Sequence, residues 1–264
     1  MRKLYVVIFF YLYAIAFAST SIRNFSFIIF GDNRAHSSSS ISQPKVFKKM
    51  IQEMNCYKDE VAFAINLGDI VRANSSSLIY KLQLNQYLKC INQLYFPVYN
   101  VVGNEEISGH KEIENIYKEK LRNTYYSFEY KNCLFIILDT EEIGHEGNIE
   151  DKQLLWLEKE LQKNASMKFI CMHRPLFPVI HKSHMKKENF YQLLTLFKKN
   201  GVNAIFAGHD HCFHNSIQDG ILQVVSGGGG APLYDHPSPG IKVHHFCLIT
   251  ITDNNIKVKM IPIR

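Results

Sequence analysis

The chain has 264 residues, of which 46% are hydrophobic and 20% charged, with a formal net charge of +6. That composition is ordinary for a globular protein, and the chain shows no internal repeat or long low-complexity tract. The lysines are scattered in pairs (Lys48-Lys49, Lys186-Lys187, Lys198-Lys199), which fits solvated helix faces and gives no stripe for specific nucleic-acid binding.

The chain opens on Arg2-Lys3, followed by an uncharged apolar run from Leu4 to Ala18 that ends in Ala16-Phe17-Ala18. A basic start, a short apolar run and a small-x-small end describe an export signal. The run falls short of the ~20 residues of a membrane span. Residues 1–18 are therefore expected to be a cleaved signal peptide, leaving 19–264 as one domain. The mature protein is then exported, periplasmic or secreted, with no stable span. A short signal anchor is the alternative. Loss of Arg2 and Lys3 lowers the formal charge from +6 to +4.

After the signal, Phe25 to Phe30 predicts a buried strand, ended by Gly31-Asp32-Asn33-Arg34. A helix follows, with Ser42 as cap, Pro44 in its first turn, and Val46, Phe47, Met50, Ile51 and Met54 at helical spacing. Val61 to Leu67 is the next strand, ended by Gly68-Asp69. The polar stretch Asn74 to Ser77 caps a long helix through Ile91. Val98 to Val102 runs into Gly103-Asn104-Glu105-Glu106, then a charged helical stretch reaches Arg122.

Tyr125 to Tyr130 and Cys133 to Leu138 form two strands around a Lys131-Asn132 turn. Asp151 to Lys163 is an amphipathic helix with Trp156 as a core anchor. Lys168 to Met172 is a strand ended by His173-Arg174-Pro175. A helix from Lys186 to Lys199 leads to the apolar run Ala204 to Ala207 and then Gly208-His209-Asp210-His211. Two hairpins follow, Phe213–Ile217 with Ile221–Ser226, and Phe246–Ile251 with Ile256–Ile261. Strands and helices alternate early and strands dominate late, which suggests two sheets with helices outside.

Of six cysteines, Cys133, Cys171 and Cys247 sit in apolar runs and serve as small core residues. Export permits disulfides, and Cys56 with Cys90 is the pair to suspect, although spacing does not determine connectivity. Asn24, Asn74 and Asn164 each begin a glycosylation sequon, which matters in a eukaryotic source.

Chemistry gathers at five strand ends: Asp32, Asp69, Asn104, His173, and His209 with His211. Gly208 would permit a sharp bend that aims the two last imidazoles together. Ligands of open α/β sheets bind beyond the carboxyl ends of the strands. Carboxylate, amide and imidazole groups meeting there suit manganese, iron or zinc. The set exceeds what one tetrahedral ion needs. Two divalent or trivalent ions ~3.5–4 Å apart are expected. Asp210 is either an orienting partner of the histidines or a turn residue. His214 and the 181–184 loop are candidates to line a substrate cleft.

The ordered set GDNR, GDIV, GNEE, HRP and GHDH resembles the calcineurin-like metallophosphoesterase family, whose pattern is GD-x-H, GD, GNH-E/D, H and GH-x-H. The resemblance spans residue 26 to about residue 230. The run Ser226-Gly227-Gly228-Gly229-Gly230-Ala231-Pro232 also resembles a late loop of exported members similar to purple acid phosphatases; alternatively it permits close backbone packing. The resemblance implies an α/β fold, a four-layer α/β/β/α sandwich of two mixed sheets flanked by helices. It implies hydrolysis of a phosphorylated small molecule or other phosphoester by metal-activated hydroxide at a binuclear centre. Asp69 would bridge the ions, Asp32 and His211 would hold the first, and Asn104, His173 and His209 the second.

Two positions depart from the pattern. Arg34 stands where a first-ion histidine is usual, and a guanidinium has no lone pair to give a metal. Glu105 replaces the histidine that the family implies as an acid near the leaving group. Both are candidate catalytic residues, Arg34 as a phosphate grip and Glu105 as an acid or extra ligand. Their opposite charges also suggest a compensating pair. If the substitutions disable chemistry, the alternative is a weakly active or non-catalytic metal- or phosphate-binding protein on the same fold.

Overall fold

The computed structural model describes residues 24–264 apart from 73–75, 108–109, 182–184, 235–238 and 254. The expected signal peptide lies outside the described residues. Among those residues, no helix is long and apolar enough to cross a membrane.

Eleven described strands form two mixed sheets. The first contains β1 (Phe25–Phe30), β2 (Val61–Asn66), β3 (Val98–Asn100), β10 (His245–Thr252) and β11 (Asn255–Pro262), in the order β11-β10-β1-β2-β3. The second contains β4 (Tyr126–Tyr130), β5 (Cys133–Ile137), β6 (Met167–Met172), β7 (Val202–Ala207), β8 (Phe213–Gln218) and β9 (Ile221–Ser226), in the order β4-β5-β6-β7-β9-β8. β1-β2-β3 run parallel, as do β5-β6-β7-β9. The late hairpin strands add antiparallel neighbours.

Every residue of β1 is buried, because both faces of its sheet are covered. Alternation then sorts the side chains. Phe25, Phe27 and Ile29 join the layer between the sheets, while Ile28 and Phe30 face the helices. β6 divides likewise, with Phe169 and Cys171 inward and Ile170 and Met172 outward. The inter-sheet layer is rich in aromatics: Phe27 meets Phe135 at 5.3 Å and Phe206 at 5.6 Å, both edge-on, the arrangement that ring quadrupoles favour.

Helices α1 (Lys45–Asn55), α2 (Ser77–Ile91) and α4 (Lys111–Lys120) cover the first sheet. Helices α5 (Asp151–Leu161) and α6 (Lys187–Lys199) cover the second. The result is helix, sheet, sheet, helix, as the sequence motifs implied. The charged stretch after β3 divides into a short α3 (Asn104–Ile107) and α4. Ser76 caps α2, accepting from Ile79 N. α1 has no side-chain cap; Pro44 precedes it, and Ser42 plays no part. Trp156 packs partly buried against the outer layer of α5 and α6.

The disulfide expectation is corrected: all six cysteines are free. Cys90 is turned into the core beneath α2, whereas Cys56 is exposed at the end of α1, where its thiol donates to Gln52 O at 3.8 Å. Cys133, Cys171 and Cys247 are core residues between the sheets.

One buried histidine away from the strand ends sets a pH limit. His245 is fully buried; its Nδ1 donates to Val243 O at 2.8 Å and its Nε2 faces Ser226 Oγ at 3.1 Å. Burial pushes its pKa down to about 4. Because the folded value lies below the unfolded one, the unfolded chain takes up the proton first. The contribution is present above pH ~6.5 and is lost towards pH 4, amounting to ~3 kcal/mol. Urea unfolding at pH 7 and pH 4.5 should show this decline, and His245→Gln should flatten it. Equal pH slopes in both proteins would count against it.

Candidate metal centre

The carboxyl ends of β1, β2, β3, β6 and β7 open onto one crevice, which brings all six expected ligands together. His173 Nε2 lies 3.1 Å from Asn104 Oδ1, 3.4 Å from Asp69 Oδ1 and 3.3 Å from His209 Nδ1. His209 Nδ1 is 2.9 Å from Asn104 Oδ1. Beside this group, Asp32, Asp69 and His211 present donor atoms within 4.8 Å of one another. His211 Nε2 is 3.3 Å from Asp32 Oδ1, a buried oxygen without a hydrogen bond.

The backbone is bent to make this possible. Asp32, Asp69 and His209 have φ of +60°, +55° and +67°, a region that Asp and His tolerate better than most residues but that still costs about 1–3 kcal/mol each. Gly208 does not supply the expected bend, which falls on His209 itself. Glycine is required at 208 for proximity: a Cβ there would stand 2.7 Å from Asp32 Oδ2 and 2.9 Å from Leu67 O. The glycine run works the same way. Gly229 N donates to Gly31 O at 2.8 Å and Ala231 N to Asp32 O at 2.8 Å, and a Cβ on Gly229 would collide with Gly31 O. Close backbone packing is thus what the run provides.

Carbonyls set the imidazole tautomers. His173 Nδ1 donates to Leu67 O at 2.8 Å and His211 Nδ1 to Pro232 O at 2.6 Å. Each turns its Nε2 toward the crevice, where the neutral ring can bind an ion; burial lowers both pKa values, but the carboxylates of Asp69 and Asp32 outweigh it and raise them. A ligand cage around a 2.0–2.1 Å ion has donor–donor edges of about 3.0–3.4 Å. The contacts around His173 match that spacing, so the converging donor atoms could close on one ion. The donor chemistry fits a divalent metal. His209 is held neutral, its pKa lowered by burial and by the neighbouring His173, Arg174, His181 and His211.

Arg34 and Glu105 do face each other. Arg34 Nε lies 3.2 Å from Asp69 Oδ2 and 3.6 Å from Glu105 Oε1. Burial lowers the Arg34 pKa, but Asp69, Glu105 and Asp32 outweigh it and raise the group. Arg72, which the motifs do not include, approaches Glu105 Oε2 at 3.6 Å.

Glu106, the last residue of the GNEE motif, has a role that the motif alone does not reveal. It is fully buried, and its carboxylate accepts from Gly103 N (2.6 Å), Asp69 N (2.8 Å), Ile70 N (2.8 Å) and Val71 N (3.2 Å). One side chain thereby ties the Asp69 loop to the Asn104 loop. Asn66 braces the Asp69 loop against the Asp32 loop, donating to Asn33 Oδ1 at 2.7 Å and accepting from Gly68 N at 2.9 Å.

Asp210 does not orient the candidate ligands. It accepts from Val179 N, Ile180 N, His181 N and His181 Nδ1 at 2.7–3.1 Å. These bonds bring the His181 ring to 4.8 Å from that of His209. Tyr234 stacks on His211 at 4.3 Å and meets His181 edge-on at 5.1 Å. His181 therefore lines the crevice as expected, whereas His214 stands on β8 with a buried Nδ1 outside the ligand group.

Residues 25–213 match the family model of calcineurin-like phosphoesterases. The chain belongs to that family. This phosphoesterase is 23% identical over 228 residues to a protein named serine/threonine-protein phosphatase CPPED1 from Danio rerio, covering 79% of this chain and 71% of the relative. Its fold is similar to purple acid phosphatase PPD1 from yellow lupin (Lupinus luteus) seeds, with a TM-score of 0.71 at 17% identity, over 91% of this chain and 52% of that one. It is also similar to GAP50, described as the anchor in the inner membrane complex of Plasmodium, with a TM-score of 0.63 at 18% identity, over 91% and 85% of the two chains.

Proposed function

We propose that the chain hydrolyses phosphoesters with divalent metal held by Asp69, Asn104, His173 and His209, and with Asp32 and His211 at the adjoining corner. The observation that carries this reading is the meeting of imidazole, amide and carboxylate lone pairs at cage spacing around His173 Nε2. A metal ion held there would polarise the phosphoryl oxygens and make hydroxide available near neutral pH.

The chain's own residues supply the rest. Arg34 is buried, and its Nη1 has no hydrogen-bond partner. That N–H suits a phosphoryl oxygen, and the fixed charge stabilises negative charge developing on it. Glu105 is held between Arg34 and Arg72 at 3.6 Å from each. His181, fixed through Nδ1 by Asp210 beside the ligand group, takes the leaving-group end and delivers a proton to the departing oxygen. The substrate is a phosphorylated small molecule or other phosphoester; the name of the Danio rerio relative makes a phosphoserine or phosphothreonine monoester one candidate.

The competing reading is a metal- or phosphate-binding protein without turnover, resting on Arg34 and Glu105. Assays with manganese, iron or zinc on nitrophenyl phosphate and its diester decide between them. Turnover of either ester that a chelator abolishes supports the hydrolase; bound metal with no turnover of either selects the binding protein. In the hydrolase, His181→Gln should lower kcat by about 10²-fold with a smaller change in KM. Unchanged kcat would remove His181 from the reaction.

A further inference from the structure

Resting on the metal-centre reading above, we propose that this centre holds one ion and that Arg34 takes the place of the other. The geometry of Asp69 points to it. Its two carboxylate oxygens face different neighbours. Oδ1 looks toward His173 Nε2 at 3.4 Å, beside Asn104 and His209. Oδ2 is 3.2 Å from Arg34 Nε. A carboxylate bridging two ions would offer one oxygen to each; here the second oxygen is engaged by a guanidinium.

The corner formed by Asp32, Asp69 and His211 has three donors and an open Asp32 Oδ1, so it would suit an ion in isolation. A cation already stands against it, Arg34 on Asp69 Oδ2. Arg34 is buried, carries five donors and no acceptor, and does not deprotonate. An ion entering that corner would meet an immobile positive charge. It would also have to draw Asp69 Oδ2 away from Arg34, leaving a buried guanidinium with Glu105 at 3.6 Å as its nearest acid. In the Asn104, His173 and His209 group the donor atoms instead meet one another, His173 Nε2 with Asn104 Oδ1 at 3.1 Å and with His209 Nδ1 at 3.3 Å, and Asp69 Oδ1 is directed to it.

The test counts ions without using turnover. Purified full chain, stripped of metal and titrated with Mn²⁺, should retain one ion per chain by atomic emission. Its EPR spectrum should be that of an isolated ion, not an exchange-coupled pair. Asn104→Ala should lose that ion, and His211→Ala should keep it. Arg34→His, which restores a ligand and removes the charge, should bind two ions and show the coupled spectrum. Two ions in the wild-type chain would overturn the inference while leaving the hydrolase reading intact. An ion lost in His211→Ala but kept in Asn104→Ala would overturn it equally. No retained ion in the wild type would overturn both. Arg34→His that folds but stays at one ion would show that the guanidinium is not what excludes the second. If that variant does not fold, the wild-type, Asn104→Ala and His211→Ala counts decide the matter alone.

Discussion

Asp69→Asn should reduce phosphoester turnover by at least about 10³-fold and weaken metal retention in the same protein. Three contacts meet on this carboxylate: Arg34 on Oδ2, and His173 with the Glu105 amide on Oδ1. An asparagine can satisfy only one side. With its oxygen toward Glu105 N and the ligand group, its NH2 confronts Arg34 Nε, donor against donor. Turned the other way, it presents NH2 to Glu105 N and to the ion's position. Both orientations remove a negative charge from beside a buried cation. Steady-state kinetics with nitrophenyl phosphate, together with metal content, check this. A variant within tenfold of wild type would remove Asp69 from the chemistry.

The largest effect on folding is expected from Glu106→Gln. Burial, reinforced by Asp69, raises the Glu106 pKa, against the pull of His173 and the backbone donors. Four backbone N–H groups point at its two oxygens, and that arrangement requires an acceptor at every lone pair. A neutral carboxyl would set its own O–H against one of those donors. We therefore assign the ionised form in the folded protein. Glutamine keeps the shape but turns NH2 toward two of the amides. Two or three buried donors are then left without acceptors, at about 1–3 kcal/mol each. The expected loss is about 4 kcal/mol, or roughly 10 °C in Tm for a domain of this size. Amide exchange should rise at Asp69, Ile70, Val71 and Gly103 together. A melting temperature within 2 °C of wild type would mean that the carboxyl is protonated and that the two loops hold without it.

How far these features could be foreseen follows from the kind of signal each leaves. Asp32, Asp69, Asn104, His173, His209 and His211 are legible because each directly follows an apolar run, and the ends of parallel strands are where α/β sheets gather ligands. The layers are legible because buried strands and amphipathic helices differ in period. Glu106 stands in the GNEE motif, but its role leaves no such trace. Three of its four partners are backbone amides 35–37 residues away, on another loop, and any residue type can provide an amide. Asp210 sits between two conspicuous histidines, yet its bonds go to residues 179–181. Sequence adjacency favours the wrong partner there. Gly208 illustrates the same limit: a turn was foreseen, but the residue is kept small by Asp32 and Leu67 from two other loops. The Cys56–Cys90 suspicion failed because nearness to helix ends says nothing about which way each side chain faces the core.

The antiparallel partner of β1 is β10, joined from Phe25 opposite Ile251 to Ile29 opposite Cys247. The stretch recognised as belonging to the family stops at residue 213, well before that strand. Any recombinant boundary drawn at the end of the recognised stretch would remove β10 and β11 from one side of the first sheet, leave β1 as its edge and loosen the loop that carries Asp32. The smallest fragment worth expressing therefore runs through β11, and the late hairpin belongs to the catalytic unit rather than being an appendage to it.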